Sequence, residues 1–191
     1  SKEMLDVCGV TEDVLPKLYE SYDATGTLKP EMAAELGFPE TCKIVAGAGD
    51  NAAAAVGTGT VGDGKCNVSL GTSGTVFVSS ERFCVDQKNA LHSFAHADGC
   101  YHLMGCILSA ASCNKWWVEN IIGSKDYDAV LGGISELGDN PVTFLPYLMG
   151  ERSPHNNPKA RGMFIGMSMD TTQTQMSQAV LEGVAFAIRD S

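Results

Sequence analysis

Apolar residues recur along this chain in two rhythms, and the points where one rhythm gives way to the other divide it into elements. Residues 2–5 read as the start of a helix, and Val14, Leu15 and Leu18 recur at helical spacing behind Thr11, which predicts a second helix over 11–18. Residues 22–27 break into a loop. Pro30 opens a short helix closed by Gly37, residues 43–48 read as a buried strand, and 52–56 read as a helix standing behind Asp50 and Asn51. Glycines 57, 59, 62 and 64 then make a flexible connection with plausible hinge positions.

Beyond the glycines a two-residue rhythm takes over. Residues 66–70 and 75–78 read as strands around Gly71-Thr72-Ser73-Gly74, a tight hairpin, and a third strand covers 101–104. An amphipathic helix follows over 109–121, a further helix over 127–137 and a fourth strand over 142–145. A long helix over 172–189 carries Met176, Val180, Val184 and Ile188 on one face. The fold class is α/β. From residue 65 the order β-β-β-α-β-α is how a ribonuclease-H-like domain begins, and two such domains facing across a cleft form the actin-like ATPase architecture.

Composition narrows this further. The chain has 191 residues, 44% hydrophobic and 19% charged, which excludes disorder and allows one domain or two partial ones. Thirteen Lys and Arg against 23 Asp and Glu give a formal charge of −10, with no basic run to neutralise phosphates. Generic nucleic-acid and anionic-membrane binding are therefore not expected. No apolar run approaches the roughly 20 residues of a membrane span, and the first residues lack a signal-peptide pattern. Seven cysteines without a C-x-x-C pair suit a reducing, cytoplasmic setting. Both ends fall in helical patterns, so the chain reads as a piece of something longer.

Candidate chemistry concentrates at two places. In Leu70-Gly71-Thr72-Ser73-Gly74, glycines flank two hydroxyl residues, so backbone N–H and side-chain O–H groups can converge on an anion; taken alone, an ordinary hairpin turn explains it better. Asp50 follows Gly47-Ala48-Gly49 at a strand end and precedes a helix. A helix-capping role and a role as proton acceptor at the carboxyl end of a strand fit it equally. His92, His96, Cys100 and His102 lack the paired short spacings of closed zinc sites and alternate like a strand pair, so they read as structural, and no metal ligand is assigned. Trp116, Trp117 and the later methionines follow core periodicity. The loop Glu151-Arg152-Ser153-Pro154-His155 is left without a role; it is either a solvated connection or part of a cleft wall.

Taken together, three segments resemble the FGGY carbohydrate kinases. Gly47-Ala-Gly-Asp-Asn-Ala-Ala53 is similar to that family's catalytic segment, and Leu70-Gly-Thr-Ser-Gly74 to its phosphate-binding hairpin. Gly162-Met-Phe-Ile-Gly-Met167, followed after seven residues by Gln175-Met-Ser-Gln-Ala-Val-Leu-Glu182, matches its second signature position by position. The Asp50-Asn51 pair, Leu108-Ser-Ala-Ala-Ser-Cys113 and Phe144-Leu-Pro-Tyr-Leu-Met-Gly-Glu-Arg-Ser-Pro154 look most like the members that act on D-xylulose. The resemblance implies a fragment: residues 1–60 from the end of the first domain, and 61–191 from the first half of the second. It implies Asp50 as general base, Asn51 as a sugar ligand, and Gly71, Thr72, Ser73 and Gly74 as the ATP phosphate cradle. Mg2+ is expected as cofactor, with its carboxylate ligand outside the fragment, and the isolated piece is expected to be inactive. Glycerol, ribulose, gluconate or a sugar alcohol is the alternative substrate. A sugar-independent ATPase and a sugar sensor of the same fold are the remaining ones, and a homodimer is one option for assembly.

Overall fold

The computed structural model describes residues 1–88 and 90–191. Helix α1 (Lys2–Cys8) is capped by the Ser1 hydroxyl, which accepts from the Met4 N–H at 3.3 Å, and it ends at Gly9 with φ 67°. The helix expected over 11–18 does not form. Only a 3-10 turn, Glu12–Val14, survives, because Pro16 forces Leu15 into extended backbone at φ −88°, ψ 147°.

Strand β1 (Ala24–Thr27), helix α2 (Pro30–Leu36) and strand β2 (Lys43–Val45) follow, with β1 and β2 paired antiparallel. Helix α2 has the expected Pro at its start and Gly37 at its end. Strand β2 is shorter than expected and exposed throughout, so the buried strand read over 43–48 is corrected. Helix α3 (Asp50–Gly57) buries Ala52 and Ala55 and carries Asp50 as its first residue.

The second half is built on a four-stranded antiparallel sheet of β3 (Cys66–Leu70), β4 (Gly74–Ser80), β5 (His92–Ala95) and β6 (Tyr101–Ile107), in spatial order β3-β4-β6-β5. The third expected strand, 101–104, is thus extended to Ile107, and β5 adds a partner for it. Phe77 faces Met104 and Phe94 faces His102 across the ladders. Because side chains alternate, Phe77, Phe94, His102 and Met104 share one face, while Gly74, Val76, Gly105 and Ile107 occupy the other.

Helix α4 (Ala111–Lys115) runs on as wider π turns over Trp116–Ile122 and stops at Gly123, φ 77°. Helix α5 (Tyr127–Leu131) is half the expected length, since Gly132 and Gly133 follow it. Strand β7 (Thr143–Leu145) pairs with β8 (Met163–Ile165), which the hydrophobic pattern did not announce; β7 does not extend the four-stranded sheet. Helix α6 (Gln173–Asp190) starts with a capping box in which Thr172 and Gln175 exchange side-chain and backbone bonds. Its apolar stripe completes the main core with Cys113, Trp117, Val118, Val142 and Phe144. Farther along, Ala187 meets Ile107 and Ala110 beneath the sheet. Among the described residues, no helix is long and apolar enough to cross a membrane.

Candidate active site

The carboxylate of Asp50 stands exposed at the first turn of α3. Gly49 before it is extended (φ −61°, ψ 152°), so the chain turns sharply from Gly47, φ 79°, into the helix. The Asn51 N–H donates to Asp50 Oδ1 at 2.8 Å and the Asn51 amide at 3.4 Å, which fixes the two side chains relative to each other. Both border a cavity of about 290 Å³, whose other wall is the sheet face bearing Phe94, His102 and Met104. The catalytic candidate and the sugar-ligand candidate thus share one site, opposite a histidine that the sequence reading treated as structural. The signal for His102 was there in the strand alternation that puts it on the same face as Met104; what faced that face was not legible.

His102 is buried and its neighbour His96 is fully tied. The Ala97 N–H donates to His96 Nδ1 at 2.8 Å, so Nε2 carries the proton and donates to the Thr60 carbonyl at 2.9 Å. Burial, with the nearby His96 adding to it and Asp98 opposing, pushes the His102 pKa down to about 4, so its ring is neutral at pH 7.

Three more bonds hold the connection between the halves. Asn67 Nδ2 donates to Thr58 Oγ1 at 2.9 Å, the Gly62 N–H to Asp98 Oδ2 at 3.3 Å, and the Gly64 N–H to the Ser79 carbonyl at 2.9 Å. Of the expected hinge glycines, Gly62 is bonded to Asp98 in the turn between β5 and β6, and Gly64 to Ser79 of β4.

The hairpin of Gly71 to Gly74 is bound to α4. The N–H groups of Ala110 and Ala111 donate to the carbonyls of Thr72 and Gly71, both at 2.9 Å, and the Ser112 hydroxyl donates to the Thr72 carbonyl at 2.7 Å. Ser73 Oγ donates to the Leu108 carbonyl at 3.3 Å, and buried Gly74 lies against Ile188 and Ile107, where a Cβ would sit 2.7 and 2.9 Å from their side chains. The Thr72 side chain borders a second hollow, about 490 Å³, together with Ser112, Asn114, Lys115 and Tyr127. The Ser112 and Tyr127 hydroxyls donate to the Thr72 carbonyl and to Glu119, which leaves the Thr72 hydroxyl, the Asn114 amide and the Lys115 ammonium around one space, a set that suits an anion. Ser112 lies in the Leu108–Cys113 string that carries part of the family resemblance, yet sequence assigns no role to it, Asn114 or Lys115, because their helical spacing reads as ordinary amphipathicity.

Asp50 and Thr72 therefore line different hollows. Phe77, which stacks on His102, is three strand residues from Gly74, so the sheet wall of the first hollow and the hairpin tip lie about 10 Å apart along β4. Among the described residues, no carboxylate borders the hollow at Thr72 and no group of three His, Cys, Asp or Glu is placed to hold a metal ion. The donor set fits a phosphate group and does not fit a divalent cation on its own.

The loop at Glu151 is not a solvated connection. Glu151 is 3% exposed with neither carboxyl oxygen hydrogen-bonded, and burial pushes its pKa up, moderated by the backbone N–H groups of Arg152 and Ser153 and by His155. Ser153 anchors the loop, donating from Oγ to the Ala90 carbonyl at 2.7 Å and from N–H to the Cys106 carbonyl at 3.2 Å.

Comparison with known proteins adds a family context. The C-terminal domain of the FGGY family of carbohydrate kinases matches residues 66–191, and the N-terminal domain of the same family matches residues 1–57. Xylulose kinases of Klebsiella pneumoniae and Escherichia coli (strain K12) are each 44% identical over 193 residues, covering all of this chain and 40% of theirs. The crystal structure of a "xyloylose kinase" from Brucella ovis superposes with a TM-score of 0.90 at 44% identity, again over all of this chain and 40% of that one. The chain spans about two fifths of the length of the relatives it matches.

Proposed function

The chain belongs to the FGGY family of carbohydrate kinases and has their actin-like α/β fold, and on that premise we propose that the whole enzyme transfers the terminal phosphoryl group of ATP to D-xylulose. The products are ADP and D-xylulose 5-phosphate. Residues 1–60 contribute the end of the first domain and 61–191 the first half of the second, so the piece alone does not turn over. The observation that carries the reading is the exposed Asp50 carboxylate, oriented by Asn51 at the mouth of a cavity large enough for a small polyol. The preference for D-xylulose is supported by the 44% identity to xylulose kinases.

Asp50 accepts the proton of the attacking hydroxyl as its oxygen bonds to phosphorus, and the bond from phosphorus to the ADP oxygen breaks. Asn51 holds the sugar by hydrogen bonding. Gly71, Thr72, Ser73 and Gly74 approach the phosphates, with Asn114 and Lys115 supplying further donors. A magnesium ion, when bound with ATP, neutralises phosphate charge; its carboxylate ligands are not supplied by this hollow. Because the two hollows lie apart, productive transfer needs ATP to bridge them or the two halves to close. In the full-length enzyme, Asp50→Asn lowers kcat for D-xylulose by about 10³-fold with the KM for ATP unchanged. Wild-type turnover in that variant removes Asp50 from the chemistry.

A further inference from the structure

The cavity in front of Asp50 holds a polar group that the transfer scheme leaves unused. His102 is 4% exposed and lies between two aromatic rings: Phe77 stacks on it at 3.9 Å and 19°, and Phe94 at 5.4 Å and 29°. Packing alone is served equally by a phenyl ring, which has no polar atoms to desolvate. Its Nδ1 is enclosed and has no hydrogen-bond partner among the described residues. A bare buried lone pair is tolerated more readily than an unpaired N–H, so the single proton of this neutral ring resides on Nε2. The ring borders the cavity that Asp50 and Asn51 border from the opposite wall. Phe94, Met104 and Ala52 make the remaining lining apolar, a combination that fits a polyol with its carbon chain on the apolar surface and its oxygens on three polar groups.

We propose that His102 is a sugar-contacting residue whose Nε2–H donates a hydrogen bond to a second oxygen of the polyol, so that it helps select which polyol is phosphorylated. This rests on the sugar-kinase reading above. A site built to hydrogen-bond a hydroxyl rejects analogues that lack it, because the buried donor is then left unpaired.

The test uses the full-length kinase with His102→Phe, which keeps the stack on Phe77, and His102→Gln, which restores a donor. His102→Phe raises the KM for D-xylulose at least tenfold, while the KM for ATP and the melting temperature stay at wild-type values; His102→Gln recovers part of the loss. In wild-type enzyme with 15N-labelled histidine, saturating D-xylulose moves the His102 Nε2 resonance and ADP does not. That measurement decides the matter if the variants fail to fold. An unchanged sugar KM in folded His102→Phe, or an Nε2 resonance that sugar leaves in place, overturns the proposal while the kinase reading stands. A wild-type enzyme that phosphorylates no polyol overturns both.

Discussion

Cys113 shows how strongly a single side chain is governed by its surroundings. It is fully buried in α4, its Sγ lies 3.5 Å from the carbonyls of Ser109 and Pro146, and burial pushes the thiol up to about 12. At pH 8 the thiolate fraction is about 10⁻⁴, so Cys113 stays unlabelled by an aromatic disulfide reagent until the chain is unfolded. Rapid native labelling of Cys113, read by mass spectrometry, contradicts its burial. The raised value also sets a sign. The unfolded thiol ionises first, so this group's contribution to stability is intact below about pH 9 and is lost as pH rises toward 12. Residues of this kind divide by how their signal is written in the chain. Asp50 and Asn51 stood out because glycines precede them, and the turn of residues 71–74 because glycines flank it. His102 did not, because alternation assigns a residue to a face without saying what lies opposite.

Among elements, α6 was the most legible and also offers the sharpest test. Its 3.6-residue stripe is a local property of 18 residues and the structure reproduces it, with Thr172, expected as the first helical residue, standing just outside as the cap. Where it crosses β7, Gly183 lies against the backbone of Phe144, and a Cβ built there collides with the Phe144 carbonyl oxygen. A strand backbone cannot step aside as a side chain can, so Gly183→Ala costs about 1–3 kcal/mol, seen as a lower urea midpoint. An unchanged midpoint means that α6 rides farther from β7 than described. The misread elements share one cause, which is that short-range pattern was outvoted. Pro16 ended a periodic stretch, Gly132 and Gly133 cut α5 short, and strands as brief as β1, read as loop, and β8 are too short to display a period.

For the molecule as a whole, burial is unevenly shared. Both apolar clusters lie beyond residue 105, whereas the buried hydrophobic residues before residue 60 are Ala33, Ala52 and Ala55 among those described. Local opening is correspondingly cheap in the first part. In hydrogen exchange on the 191-residue chain, amides of α1 and α2 exchange orders of magnitude faster than those of β4 and β6; equal protection of the two sets refutes this division. The family architecture was readable because its glycine-rich segments are spelled out in order, while the separation of the two hollows depends on how α3 is laid against the sheet.

That placement comes from the connection after α3, pinned at Thr58, Thr60, Gly62 and Gly64. These bonds tie the base of α3 to the sheet, so a displacement of the sheet reaches the carboxylate at the helix's far end through the length of one short helix.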